Sequence, residues 1–275
     1  KQYSFRDKAI NGVLAHFKEF KSYCFLSATP IPNNLKPAIF NDIPEYMADW
    51  NTTNDITVYP YHTDKPYMVA AKFIKTYQAK GRLNVNGIES KEAYFFINSV
   101  TEIKAILKQT QLTEDDYRII CADNPKNRRT LEGYTISSSA DAPKKFNFIT
   151  SKSFEGVDFH SETGLCFVVS NVQNRHTLVS IDMDIPQIVG RIRTKSNPFR
   201  NKVVHIFNTK ATDHYTTFED MELIVDEEVK AAQERADMLN NAKLSEAAIK
   251  QQVNEIKKVE VESYLSYQEN KFVVN

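Results

Sequence analysis

The sequence predicts an α/β protein: a parallel β-sheet flanked by helices, followed by a C-terminal helical extension. Continuous apolar runs such as Tyr94-Phe95-Phe96-Ile97 and Cys166-Phe167-Val168-Val169 suit strands buried on both faces. Helical patterns alternate with these runs, as a helix-covered parallel sheet requires. The 275 residues, 41% of them hydrophobic and 25% charged, are enough to bury a core in one large domain or two smaller ones.

In chain order, Ile10, Val13, Leu14, Phe17 and Phe20 recur at helical spacing, so Asp7–Phe20 reads as an amphipathic helix. Tyr23–Leu26 reads as a short buried strand ending in Ser27-Ala28-Thr29-Pro30. Residues 31–55, rich in Pro and Asn, form a linker with turns. Strands are expected at Ile56–Tyr61, Tyr94–Asn98, Arg118–Ala122, Phe146–Thr150, Leu165–Ser170 and Val203–Asn208. Helices are expected at Tyr67–Gln78, Thr101–Gln109 and Pro186–Arg193, the last started by its proline. From Asp213 the chain turns helical and charged. There Ser245 fits an N-cap with a Leu244–Ile249 staple, and the stripe Ile249, Val253, Ile256 is expected to pack on the body. Three segments result: 1–54, 55–212 and an acidic helical extension, 213–275.

No run approaches the roughly 18 apolar residues of a membrane helix. Cys24, Cys121 and Cys166 each sit in an apolar, strand-like run and read as buried thiols of a reducing, cytoplasmic compartment. The six histidines have no metal-ligand spacing, and no metal site is expected. Formal neutrality hides an asymmetry. Residues 1–212 hold 28 basic and 21 acidic side chains, net +7, and residues 213–275 hold 7 and 14, net −7. A basic body permits a polyanionic partner, and a solvated surface with an acidic tail accounts for the same charges.

Glycine is scarce, 7 in all where about 7% usage would give roughly 19, so positions that keep one invite a reason. Gly156 follows an apolar strand in Thr150-Ser151-Lys152-Ser153-Phe154-Glu155-Gly156-Val157-Asp158. Gly190 lies in Gln187-Ile188-Val189-Gly190-Arg191-Ile192-Arg193, where Gln187, Gly190 and Arg191 share one helical face. An arginine there either reaches outward to a phosphate or satisfies the carbonyls of its own helix end. Both readings stand on the local sequence.

Together these segments resemble superfamily 2 (DEAD/DEAH-like) helicases. Ser27-Ala28-Thr29 after a strand resembles motif III, and Tyr94–Ser99 resembles motif IV. Thr150 with Glu155-Gly156-Val157-Asp158 resembles motif V, and Gln187-x-x-Gly190-Arg191-x-Arg193 resembles motif VI. Their order is the family's order, over about residues 1–210. The resemblance implies a RecA-like (P-loop NTPase type) second motor domain within 55–212, behind a remnant of the first. It implies an ATP-dependent helicase or nucleic-acid-stimulated ATPase acting on DNA or RNA, single-stranded, with the first RecA-like domain of the same parent as partner.

Residue by residue, it implies that Arg191 and Arg193 are arginine fingers and that Gln187 orients them. Gly156, Asp158 and Gly190 would line the nucleotide cleft, Asp158 near the ribose. Thr150, Asn98 and Ser99 would meet nucleic-acid phosphates, and Ser27, Ala28 and Thr29 would couple the nucleotide state to the interdomain gap. Two departures qualify the match. The commonest pattern has its second arginine at the position of Thr194, and Arg193 at offset six resembles the RNA-sensor branch. No Gly-x-x-x-x-Gly-Lys-Ser/Thr loop and no acidic Mg²⁺ motif occurs. The chain then reads as a piece of a longer protein, with ATP and Mg²⁺ held mainly by the missing domain and the piece inactive alone. The competing reading is a catalytically inactive helicase-like module that binds nucleic acid or protein.

Overall fold

The computed structural model describes residues 7–27, 36–48, 55–154, 157–181, 183–209, 217–258 and 264–274. The chain divides into two compact units, residues 1–53 and 54–275.

In the first unit, helix α1 (Asp7–His16) runs into a 3-10 turn, Phe17–Glu19. Phe17 is buried, and its ring packs edge-on against Tyr23 (4.7 Å) and Phe25 (5.1 Å). Phe40, on a second 3-10 turn at Ala38–Phe40, completes the aromatic cluster. Two expectations are corrected here. Tyr23–Leu26 is no strand, and Cys24 is exposed. An isolated strand gains stability only from a paired neighbour, and the described residues of this unit contain no strand.

The second unit is α/β. Its strands are β1 (Thr57–His62), β2 (Leu83–Val85), β3 (Ile88–Ser90), β4 (Glu92–Phe96), β5 (Tyr117–Ile120), β6 (Phe146–Ile149), β7 (Gly164–Val169) and β8 (Lys202–Phe207). Six of them form one parallel sheet in the order β1-β8-β7-β4-β6-β5, while β2 and β3 make a separate hairpin. The arrangement is compatible with a RecA-like fold. Helices α2 (Pro66–Lys80), α3 (Val100–Thr110), α4 (Pro125–Thr130) and α5 (Asp184–Val189) connect the strands.

Period-two alternation sorts the side chains onto two faces. Phe95, Phe148 and Phe167 join α2 and α3 in one core, with the three rings stacked 4.7 and 5.5 Å apart. Their neighbours Tyr94, Phe96, Ile149, Cys166 and Val168 join Ile185, Ile188 and Val189 of α5 on the other face. Each fully buried aromatic or aliphatic chain contributes about 1.5–3 kcal/mol, so both layers are stabilised independently of any ligand. At one edge, β1 is exposed on nearly every residue, and it carries Pro60 at mid-strand.

The C-terminal segment consists of α6 (Phe218–Asn241), α7 (Glu246–Lys258) and a hairpin, β9 (Leu265–Gln268) and β10 (Lys271–Val274). Ser245 Oγ accepts from Ala248 N at 3.4 Å, as an N-cap does. The Ile249, Val253, Ile256 stripe, expected on the body, instead packs with Leu244, Ala236, Leu239, Leu265 and Phe272 in a small core of its own. The hairpin, which the helical reading of 213–275 did not include, supplies the surface that this stripe covers.

Candidate functional site

The sheet order reverses beside β4: the chain goes from β4 outward to β5, returns through β6, and crosses to β7. In open α/β sheets such a reversal leaves a crevice at the carboxyl ends of the strands. Asn98 and Ser99, directly after β4, stand at that edge. The Asn98 amide ties two loops together, donating to His176 O at 2.7 Å and accepting from Ser151 N at 3.2 Å. Ser99 caps α3, its Oγ accepting from Glu102 N at 3.4 Å. Thr150, at the end of β6, is buried, and its hydroxyl donates to Ile120 O at 3.4 Å.

The loop after β7 is a polar knot. Thr177 Oγ1 accepts from Asn171 N (2.9 Å) and donates to Asn174 O (2.8 Å), while Asn208 Nδ2 donates to Asn171 Oδ1 (3.0 Å). Asn174 Nδ2 reaches Tyr67 Oη at 3.1 Å. These residues were not singled out from the sequence. The spacing Asn171-x-x-Asn174-x-x-Thr177 after an apolar strand was the available signal.

A second constellation joins the motif V-like and motif VI-like segments. Phe159 pairs with Ile192 in a parallel bridge: Phe159 N donates to Arg191 O (2.8 Å) and Arg193 N to Phe159 O (2.9 Å). Both residues are buried. Further along, Ser161 N donates to Thr194 Oγ1 (3.0 Å), and Asn197 Nδ2 donates to Ser161 O (2.8 Å) and Gly164 O (3.0 Å). Residues 158–164 and 191–197 are thus zipped together, and Thr194 belongs to the zipper.

This pairing corrects the expected Pro186–Arg193 helix. Helix α5 starts at Asp184, whose carboxylate accepts from Ser180 N at 2.7 Å, and it ends at Val189. Pro186 is its third residue, where the missing N–H costs nothing. Burying Ile192 against Phe159 outweighs the next helical turn. Gly190 has ordinary helical dihedrals, and an added Cβ would meet only Pro186 O closely, at 3.2 Å.

Arg191 therefore does not extend outward. It is 8% exposed, and its Nε donates to Gln187 O (2.8 Å) and its Nη1 to Val157 O (3.3 Å). Its Nη1 is also 3.8 Å from Asp158 Oδ1. Arg193, half-exposed, donates to the same oxygen at 2.8 Å. One carboxylate thus faces two guanidinium groups, a concentration of fixed donors of the kind that recognises phosphate. Gln187 stands half-buried on α5 beside them. Gly156, Ala28 and Thr29 lie outside the described residues, and Ser27 is exposed in the first unit.

Behind this cluster lies a buried cation. Arg118 of β5 is 1% exposed, donates Nε to Asn147 Oδ1 (2.6 Å) and Nη1 to Asp141 O, and stacks 5.3 Å from the Phe159 ring. Burial lowers its pKa and raises that of Tyr94, whose ring lies 5.1 Å from Phe159. A desolvated cation–π contact is worth about 2 kcal/mol, which anchors Phe159 from behind. Cys121 and Cys166 are buried, and desolvation pushes their thiols up to about 11 and 12, so both stay protonated.

Among the described residues, no group of three His, Cys, Asp or Glu side chains is placed to hold a metal ion, and no helix is long and apolar enough to cross a membrane. The chain matches no protein-family model and no curated protein.

Proposed function

We propose that the chain is the C-terminal motor half of an ATP-dependent nucleic-acid helicase or translocase. One observation carries the reading. The Phe159–Ile192 bridge gathers Asp158, Arg191 and Arg193 into a single charged cluster beside a parallel sheet. Segments that resemble motifs V and VI thus meet in space although some thirty residues separate them. In this reading Arg191 stabilises charge on the transferred phosphoryl group, Arg193 assists, and Gln187 orients them. In the same reading Asn98 and Ser99 line a track for single-stranded DNA or RNA, whereas Thr150, expected to meet phosphate, is buried with its hydroxyl on Ile120 O and supports the track from behind. The sequence has no Gly-x-x-x-x-Gly-Lys-Ser/Thr loop and no acidic motif after an apolar strand, and no three His, Cys, Asp or Glu side chains gather among the described residues. ATP and the ion would accordingly be held by the first RecA-like domain of the same parent. Three free cysteines, one exposed, suit a reducing cytoplasm.

A second reading, an inactive helicase-like binding module, draws on Arg191's inward bonds to the Gln187 and Val157 carbonyls. The test is Arg191→Ala in the full-length parent. A finger acts mainly as charge develops, so single-turnover hydrolysis per folded molecule should fall at least about a hundredfold, within the range of arginine fingers, with nucleic-acid affinity nearly unchanged, while the lost carbonyl bonds lower the melting temperature only modestly. A lowered melting temperature, with lost activity that tracks the unfolded fraction, would favour the structural role. Normal turnover in a folded variant refutes the finger.

A further inference from the structure

Helix α6 is longer than the core it serves. Its residues Ala236 and Leu239 are buried in the C-terminal core, and Val229 and Ala232 are half-buried. Val225 continues the same stripe, since 225, 229, 232, 236 and 239 follow the alternating four-three spacing of a helix seam. Yet Leu223, Ile224 and Val225 are 65%, 44% and 36% exposed, and no described side chain between 219 and 228 is buried. At 1.5 Å per residue, about 16 Å of helix overhangs. The overhang is held helical by a full capping box, with Thr217 Oγ1 accepting from Asp220 N (3.1 Å) and Asp220 accepting from Thr217 N (2.9 Å). Glu219, Asp220, Glu222, Asp226, Glu227 and Glu228 lie on it, and no basic residue precedes Lys230.

A complementary surface exists on the same chain. Helix α4 carries Lys126, Arg128 and Arg129, all exposed and without an acidic residue among them. Lys104 of α3 reaches Thr130 O at 2.6 Å and adds a fourth cation. Beside this helix runs a shallow groove with Leu131, Tyr134 and Ile136 in its wall. The groove's Asp123 is engaged by Arg128 at 2.5 Å, which offsets its charge, and Glu132 stands at the rim. Residues 54–212 as a whole hold 22 basic and 16 acidic side chains, and the full chain has formal net charge +0. Two copies therefore do not repel at long range, while each presents an acidic arm and a basic groove.

We infer that the α6 overhang of one copy docks on the α4 groove of a second copy. Pairing of two overhangs with each other is disfavoured because both are acidic. The contact is small, so the expected dissociation constant is in the tens of micromolar, at the weak end of specific interfaces. The inference does not depend on the helicase reading and needs no nucleotide.

Sedimentation velocity of the 275-residue chain tests it. Association is expected at low salt and should weaken about tenfold in 0.5 M salt, because exposed charges are then screened within a few ångströms. Ile224→Ser/Val225→Ser should abolish it, as should either Glu227→Arg or Arg129→Glu alone. All four positions are exposed, so circular dichroism and melting should match the parent chain. Mixing the Glu227→Arg protein with the Arg129→Glu protein should restore part of the association, since the intact arm of the second then meets the intact groove of the first. A chain that stays monomeric at about 200 µM in low salt, or an association unaffected by these substitutions, overturns the proposal.

Discussion

A Cβ built on Gly164 would stand 2.5 Å from Tyr94 Cε2 and 2.7 Å from Ser161 Oγ. Gly164 N already donates to that same Ser161 oxygen at 2.8 Å, and Asn197 clamps its carbonyl. Neither neighbour has room to retreat, because the Tyr94 ring is buried in the sheet. Gly164→Ala is expected to cost about 1–3 kcal/mol, as overpacking does, seen as a lower urea midpoint at constant slope. The glycine scarcity drew notice to Gly156 and Gly190 instead. What makes Gly164 necessary is a residue seventy positions away, and a local reading of the chain has no access to that distance. The same limit hid Arg118, whose role is set by Phe159.

Among elements, the buried strands were legible, because each is a short apolar run closed by turn residues. The six strands expected within 55–212 all exist, with ends that differ by at most two residues. The failures have physical causes. Tyr23–Leu26 had strand-like residues but no partner strand among the described residues of its unit, and α5 stopped early because Ile192 gains more from the bridge. The β9–β10 hairpin turns through Glu269 and Asn270, with φ of 48° and 63°. Glutamate is not a residue that announces such a turn. Helix α6 offers a direct check on capping. Thr217→Ala removes the acceptor for Asp220 N, which should cost the helix start about 1 kcal/mol. Amide exchange at residues 220–225 should speed up several-fold while the Ala236–Leu239 turns keep their protection. Uniform change along the helix would contradict the capping account.

For the whole molecule, pH provides a readout of burial. His205 lies on β8, its ring stacked 4.9 Å from Phe207 and its Nε2 3.1 Å from Ser170 Oγ. Desolvation holds its pKa below the ordinary 6.5. Between the two values the unfolded chain binds a proton that the folded one refuses, so this contribution is complete above about pH 6.5 and declines as the pH falls. The melting temperature should drop from pH 7.5 to pH 5, and His205→Gln should flatten that slope. An unchanged slope would assign the effect to other groups. The charge asymmetry was plain in the sequence, whereas the gathering of Asp158, Arg191 and Arg193 required the fold. The exposed edge of the sheet has a last consequence. Thr57 N and Thr63 N donate toward β8, so the odd-numbered residues of β1 face their neighbour and the even-numbered ones face outward. Pro60 is even-numbered, and it deletes the central donor of the open side. A stray strand that tried to extend the sheet would meet a gap midway, which guards this protein against edge-to-edge aggregation along β1.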